Sequence, residues 1–401
     1  MKRFCIILLL VAITGFTFAE RGTLVSDNWY KSKIYTTSMS NKYIESVKIT
    51  PAAKTWCIKT LGAPQYNVKA YQIVYISVDH SGKEIPVSGV VLVPQTNSDA
   101  PLPLLVYQHG TIIDNSGMPS GMDSSDEAKL LFATFATRGY VVAMTDYVGC
   151  GLETSVPNEY LYAASEAANG VDIIKATSQL LQKLKMTSYS KLYVTGYSEG
   201  GQGASALSSL IQENYPQYTV QAAALMEGPY NMTELLNYFL KPGGVTSSGR
   251  SSGSIVSTKA LYSYNNIYNW GGMSNIFVPP YAVKVNNIFS KLNPSVLSLA
   301  MAFPADTRKM LTNDFYTSVQ SGSAGIEIAS NDTDNWVPKM KTYITSSNAD
   351  TLIPDTVALN TYNKMKAAGG NVVFQYTPFP LDHLPNFLPS LVLTWVNFKN
   401  N

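Results

Sequence analysis

The chain has 401 residues, 45% of them apolar and only 14% charged, which suits a large packed core and excludes a disordered, charge-rich polymer. The formal net charge is +2. Removing Lys2 and Arg3 from the 29 basic residues leaves 27 against 27 acidic ones, a balance without the basic excess that nucleic-acid binding needs, so nucleic acid is excluded as a partner.

In chain order, Lys2 and Arg3 precede an apolar run from Phe4 to Phe18 and the small residue Ala19, the three parts of a cleaved secretory leader over residues 1–19. The run is interrupted by Thr14 and Gly15 and is shorter than the roughly 20 apolar residues a spanning helix requires. An exported location, secreted or periplasmic, follows. Cys5 belongs to the leader, leaving Cys57 and Cys150. An oxidising compartment permits a disulfide between them, and two separate buried thiols fit equally well. Asn231-Met232-Thr233 and Asn331-Asp332-Thr333 match the glycan acceptor pattern, which is too common to weigh.

A polar, Tyr-rich extension over 20–65 is followed by three runs rich in Val, Ile and Tyr, at 68–78, 85–93 and 102–107, which predict strands. The pattern then alternates: helix 126–137, strand 140–145, helix 159–185, strand 191–195, helix 199–213 and strand 220–226. From Pro229 to Trp336 the alternation fails, and the Ser-rich stretch 247–253 predicts a loop. Strand 340–345, helix 354–368, strand 372–376 and helix 385–398 resume it. Strands leading into helices imply a mostly parallel central sheet flanked by helices, made mixed by antiparallel strands at its start. The organisation expected is therefore a core of residues 20–228 and 337–401, interrupted by an inserted helical cap over 229–336.

Within this frame, Leu192-Tyr193-Val194-Thr195 runs into Gly196-Tyr197-Ser198-Glu199-Gly200 and then a helix. A serine on so tight a strand-to-helix turn is lifted above the sheet as a nucleophile. A second copy of the pattern, Gly249-Arg250-Ser251-Ser252-Gly253, follows no strand and is rejected. Gly201-Gln202-Gly203-Ala204-Ser205-Ala206 resembles a dinucleotide fingerprint, but its first glycine falls inside the helix, and it is rejected too. Of the three histidines, His80, His109 and His383, only His383 follows the serine, as the order serine, acid, base requires.

Five aspartates lie downstream: Asp332, Asp334, Asp350, Asp355 and Asp382. Asp350 stands at the expected carboxyl end of strand 340–345, where such folds collect their sites. Asp355 suits the first turn of the next helix. The oxyanion donors expected are the amides of Glu199 and, from the loop after the third strand, Thr111, with His109 and Gly110 shaping that loop. The Glu199 side chain is expected to face solvent at the helix start. No cofactor is called for. The histidines are scattered, and no metal-binding pattern occurs.

Three segments carry a resemblance to a known family: Tyr107-Gln108-His109-Gly110-Thr111; Thr145-Asp146-Tyr147-Val148-Gly149-Cys150-Gly151 with Asn158-Glu159-Tyr160-Leu161-Tyr162-Ala163; and Gly196-Tyr197-Ser198-Glu199-Gly200-Gly201 with Glu227-Gly228-Pro229-Tyr230. Through these the chain resembles the α/β-hydrolases, and more closely the secretory lipases and related exported esterases, from about Val68 to the C-terminus. The resemblance implies a triad hydrolase acting on a small-molecule or lipid ester, with inserted helices over the acyl pocket and interfacial lipid contact through that cap. Cap aromatics such as Tyr238, Phe239, Tyr264, Tyr268, Trp270 and Phe277 fit a pocket cover and an ordinary core equally. Competing readings are a serine peptidase of related fold, an acyltransferase, and an inactive hydrolase-like binding module. The peptidase ranks lower because no propeller-like segment precedes the strands, and the inactive module because serine, aspartate and histidine are all present.

Overall fold

The structure, a computed structural model, describes residues 20–25, 31–240, 247–291, 299 and 302–401. The expected leader lies outside the described residues. Nine strands form one sheet in the order β1-β2-β3-β5-β4-β6-β7-β8-β9: β1 Lys31–Tyr35, β2 Val68–Val78, β3 Glu84–Pro94, β4 Leu104–Gln108, β5 Val141–Thr145, β6 Leu192–Tyr197, β7 Val220–Met226, β8 Lys341–Ser346 and β9 Val372–Tyr376. Strands β1, β2 and β3 are antiparallel and β3 joins β5 in the same sense, whereas β5, β4, β6, β7, β8 and β9 run parallel. All residues of β4, β5 and β6 are buried, as continuous apolar runs must be when helices cover both faces of a parallel sheet.

On one face lie α4 (Ala163–Lys183) and α5 (Glu199–Asn214), whose Val171, Ile174, Leu207 and Ile211 join one apolar cluster. The opposite face holds α2 (Pro51–Leu61), α3 (Asp126–Thr134) and the C-terminal α13 (His383–Lys399), with Cys57, Phe132, Leu388 and Trp395 in a second cluster. With α1 (Thr37–Ser46) and β1, α2 gives regular structure to an extension that the sequence marks only as polar. Between β7 and β8 come α6 (Met232–Leu240), α7 (Ser247–Tyr268), α8 (Met273–Ile276), α9 (Tyr281–Phe289), α10 (Asn313–Ser321) and α11 (Ser323–Ala329), while α12 (Asp355–Ala367) links β8 to β9. This inter-strand segment has an apolar cluster of its own, including Leu261, Tyr264, Phe277, Met310 and Phe315.

The stretch 247–253, expected as a loop, opens α7. Farther along this helix, hydroxyls turn back onto the backbone: Ser257 Oγ donates to Gly253 O at 2.7 Å and Thr258 Oγ1 to Ser254 O at 2.6 Å. Small residues buried this way need no exposed polar face, so tertiary packing overrides their low helix propensity. Cys57 and Cys150 are separate buried thiols, each pushed up to about 12 by burial. Neither acceptor asparagine stands free: Asn331 is 1% exposed, and Asn231 bonds Asp334 and the Glu234 amide.

Candidate active site

The site stands at the carboxyl ends of the parallel strands, where β4 separates β5 from β6 and the connections leave in opposite directions; such a crevice is where open α/β sheets bind ligands. Ser198 follows β6 and caps α5 at φ 58 and ψ −123, a strained conformation for a residue with a Cβ. Glycines at either side make the turn physically possible. A Cβ on Gly196 would meet Gly200 O at 1.9 Å, and one on Gly200 would meet Gln108 O at 1.9 Å. The dinucleotide-like glycines lie inside α5, in keeping with their rejection.

His383 Nε2 lies 2.9 Å from Ser198 Oγ, and His383 Nδ1 lies 2.6 Å from Asp350 Oδ2. All three residues are buried. Asp350 follows β8, and its Oδ1 accepts the amides of Leu352 and Ile353 at 2.8 and 2.9 Å, fixing the carboxylate toward the imidazole. Burial alone would raise Asp350, but the charge and hydrogen bond of His383, aided by Glu227 and the Ile353 amide, hold it below its ordinary range. His383, two residues ahead of the helix expected over 385–398, is the first residue of α13, capped by Asp382 Oδ1, which accepts its amide at 2.8 Å. The remaining aspartates have other partners. Asp382 also accepts Thr351, Asp355 accepts Tyr376 OH at 2.8 Å from the first turn of α12, Asp332 accepts the Met232 amide at 2.7 Å, and Asp334 pairs with Lys364 at 2.8 Å.

The loop after β4 packs against the serine, since a Cβ on Gly110 would come within 3.5 Å of Ser198 Cβ. The Gly110 amide is occupied by Glu127, at 3.1 Å to Oε1, and Glu127 also accepts Tyr107 OH at 2.6 Å. His109 stacks on Tyr147 at 4.0 Å, with Nδ1 2.6 Å from Gly110 O and Nε2 3.3 Å from Asp146 O, so its single N–H in the neutral form serves one of the two carbonyls. Burial pushes it down to about 4, so it braces the loop as a neutral ring. Thr111 Oγ1 meets Tyr160 OH at 2.6 Å. His80 stands elsewhere, bonded through Nδ1 to Glu159 at 2.7 Å.

A second expectation fails at the site. The Glu199 side chain does not face solvent but is 2% exposed. Burial raises it to about 7, against the lowering effects of Lys259, a hydrogen bond from Thr111 and the Leu161 amide. The carboxyl of Glu166, buried with no hydrogen-bond partner on either oxygen, is raised well above its ordinary value by burial and by Glu199. Glu127 is likewise pushed up to about 7 by burial. Sequence reading misses this acid layer because burial is set by distant segments. Of the aromatics between β7 and β8, Tyr264 and Phe277 are fully buried in the third cluster and Trp270 packs on Phe315 at 5.1 Å, so these three build core.

Beside the loop, a cavity of about 370 Å³ is lined by apolar residues including Ile112, Val156, Tyr160, Tyr262 and Phe289, together with Lys259 and Lys291. Lys259 Nζ sits 4.0 Å over the Tyr160 ring. Glu227, Asp350 and His383 bring donor atoms within 4.8 Å of one another, a set that could hold a cation. Their oxygen and nitrogen atoms are instead engaged by each other and by Asn386 Nδ2, 2.6 Å from Glu227.

The rice cell wall degrading esterase LipA from Xanthomonas oryzae superposes with a TM-score of 0.81 at 23% identity, covering 95% of this chain and 99% of that one. Candida antarctica lipase A in its closed state gives a TM-score of 0.64 at 16% identity, covering 95% and 83%. The chain has the α/β-hydrolase fold. Residues 122–239 match the family model described as Secretory lipase, a span that holds the elbow, α4 and the Glu227 turn. The resemblance read from the sequence is thereby borne out. No curated relative matches this hydrolase-fold chain by sequence. Among the described residues, no helix is long and apolar enough to cross a membrane.

Proposed function

We propose that the protein is an exported serine hydrolase that cleaves carboxylic esters, of lipase or carboxylesterase type, through an acyl-enzyme. The reading is carried by the unbroken hydrogen-bond chain Ser198 Oγ, His383 Nε2, His383 Nδ1, Asp350 Oδ2, at 2.9 and 2.6 Å. Ser198 attacks the carbonyl carbon as His383 takes its proton, and Asp350 holds the ring and offsets the charge it acquires. The tetrahedral oxyanion is received by the amides of Glu199 and Thr111. Support for Thr111 within its loop comes from the engagement of the Gly110 amide by Glu127. Collapse expels the alcohol, protonated by His383, and water then releases the acid by the same steps in reverse.

The apolar lining of the cavity beside Thr111 and Tyr160 suits an acyl chain. Residues 229–336 act as the cap over the site and its contact with a lipid surface. Export follows from the leader and agrees with the secretory family model.

The test pairs the wild type with Ser198→Ala on p-nitrophenyl esters of increasing acyl length, alongside a fluorophosphonate probe mapped by mass spectrometry. Labelling at Ser198 with turnover abolished in the variant is expected. Labelling without ester turnover would redirect the search to peptides or another acyl acceptor, and no labelling would favour a binding module.

A further inference from the structure

Glu227 follows β7 at φ 49, and none of the steps above uses its carboxyl. It is 1% exposed. Oε1 accepts Asn386 Nδ2 at 2.6 Å, Oε2 stands 3.4 Å from Ser346 Oγ, and the Asp350 carboxyl lies within hydrogen-bonding reach. One oxygen of Glu227, one of Asp350 and one ring nitrogen of His383 all lie within 4.8 Å of one another. The titratable groups facing Glu227 are Asp350, His383, Tyr197 and Tyr230.

Two buried carboxyls in hydrogen-bond contact need a proton between them, because two ionised groups would repel with no donor to join them. Asp350 is the better home for the charge: it accepts His383 Nδ1–H and two amides at 2.9 Å or less. The proton therefore rests on Glu227, which burial and the Asp350 charge push well above the ordinary carboxylate range. We propose that Glu227 is a positioning residue of the triad, a neutral acid that donates its O–H to Asp350 and, when Asp350 is lost, ionises and supports His383 in its place. The geometry permits the exchange, since β7 and β8 are neighbours and their carboxyl ends present the two acids to one imidazole.

The inference rests on the triad proposed above, and its test reads two signals: ester turnover and the rate of fluorophosphonate labelling at Ser198. Both are measured from about pH 6 to pH 9 for wild type, Glu227→Gln, Glu227→Leu, Asp350→Asn and the Asp350→Asn/Glu227→Gln double variant, with thermal transitions recorded for each. The amide of Glu227→Gln still donates to Asp350 and accepts from Asn386, so kcat is expected within about threefold of wild type, whereas Glu227→Leu, lacking a donor, loses about tenfold in kcat with KM unchanged. Asp350→Asn is expected to keep activity that climbs with pH as Glu227 ionises. The double variant loses a further tenfold or more and keeps only the rise with pH that deprotonation of the His383 base imposes, approaching the roughly 10⁴-fold deficit of a triad without its acid.

Equal rates for Asp350→Asn and the double variant at every pH overturn the reserve role. A fall in Glu227→Gln as deep as that in Asp350→Asn overturns the neutral-donor role. Should Asp350→Asn not fold, the contrast between glutamine and leucine at position 227 decides. Labelling rates that rank as stated without ester turnover refute the ester reading alone, and an unlabelled wild type refutes both.

Discussion

The two copies of the five-residue serine motif allow the same substitution to be compared in two settings. In Gly200→Ala the new methyl would stand 1.9 Å from Gln108 O and 2.7 Å from His109 O. Contact near 3.4 Å requires the end of β4 to retreat by about 1.5 Å, yet β4 is hydrogen-bonded to β5 on one side and β6 on the other. Overpacking that side chains can absorb costs about 1–3 kcal/mol; here the obstacle is paired backbone, so more than about 4 kcal/mol is expected, a large share of a total of about 5–15 kcal/mol. In Gly253→Ala, inside α7, the methyl meets the Phe239 ring at 2.6 Å, a side chain that can turn. The gain of about 1 kcal/mol for alanine over glycine in a helix offsets part of that strain, leaving a net loss below about 2 kcal/mol.

Chemical denaturation and ester turnover measure both variants. Gly200→Ala should fail to fold, or fold less stably with activity lowered at least about 100-fold, because the same retreat displaces the loop after β4 that carries the proposed oxyanion donor, and an ångström of misplacement costs about that much. Gly253→Ala should retain near wild-type turnover. A Gly200→Ala protein as stable and active as wild type would refute the claim that elbow and β4 are in contact.

Replacing the strained residue itself should stabilise: Ser198→Gly relieves φ 58 and is expected to raise stability by about 1–2 kcal/mol while abolishing turnover, as read by thermal denaturation. Glu199, at about 7 in the folded protein against an ordinary 4.5, stays protonated while the unfolded chain ionises. Its contribution is therefore full below about pH 4.5 and is lost as pH rises toward 7, a change of about 3 kcal/mol. Glu199→Gln should remove that part of the decline in the melting temperature between pH 5 and pH 7.5; an unchanged slope would contradict it. Cys57 and Cys150, both buried and held protonated, should react with a thiol reagent only after unfolding, and reductant should leave the melting temperature unchanged.

Strands β4 to β8 are legible in the sequence because each is a short, mostly apolar run bounded by turns, as burial on both faces demands, and the edge strand β9 keeps the same apolar character. The extension is not: β1 reads Lys-Ser-Lys-Ile-Tyr with four of five residues exposed, as a charged edge strand should be, and that pattern is the same as a polar loop. Helix α7 was illegible for the opposite reason. Its Ser and Gly residues have weak intrinsic preference, and what makes them helical is packing against Phe239 and hydroxyls returning to their own carbonyls.

The site divides along the same line. Ser198, Asp350 and His383 sit where local strand-to-helix grammar puts them, so spacing and chain order sufficed to bring forward the three that the fold joins. The acids that surround them carry no local mark. Glu199 begins a helix, as solvated glutamates often do, and only the convergence of Thr111 from the β4 loop, Leu161 from the segment before α4 and Lys259 from α7 turns it inward. Glu227 is similarly ordinary in sequence, and acquires its meaning from Asn386 and Asp350, which lie more than a hundred residues away. A group's charge state is a property of everything that excludes water from it, so the chemistry most dependent on burial is the part that a linear pattern conveys least. For the same reason these acids are where a single substitution separates a positional role from a structural one: the amide in place of the acid preserves shape and hydrogen bonding while removing the proton equilibrium.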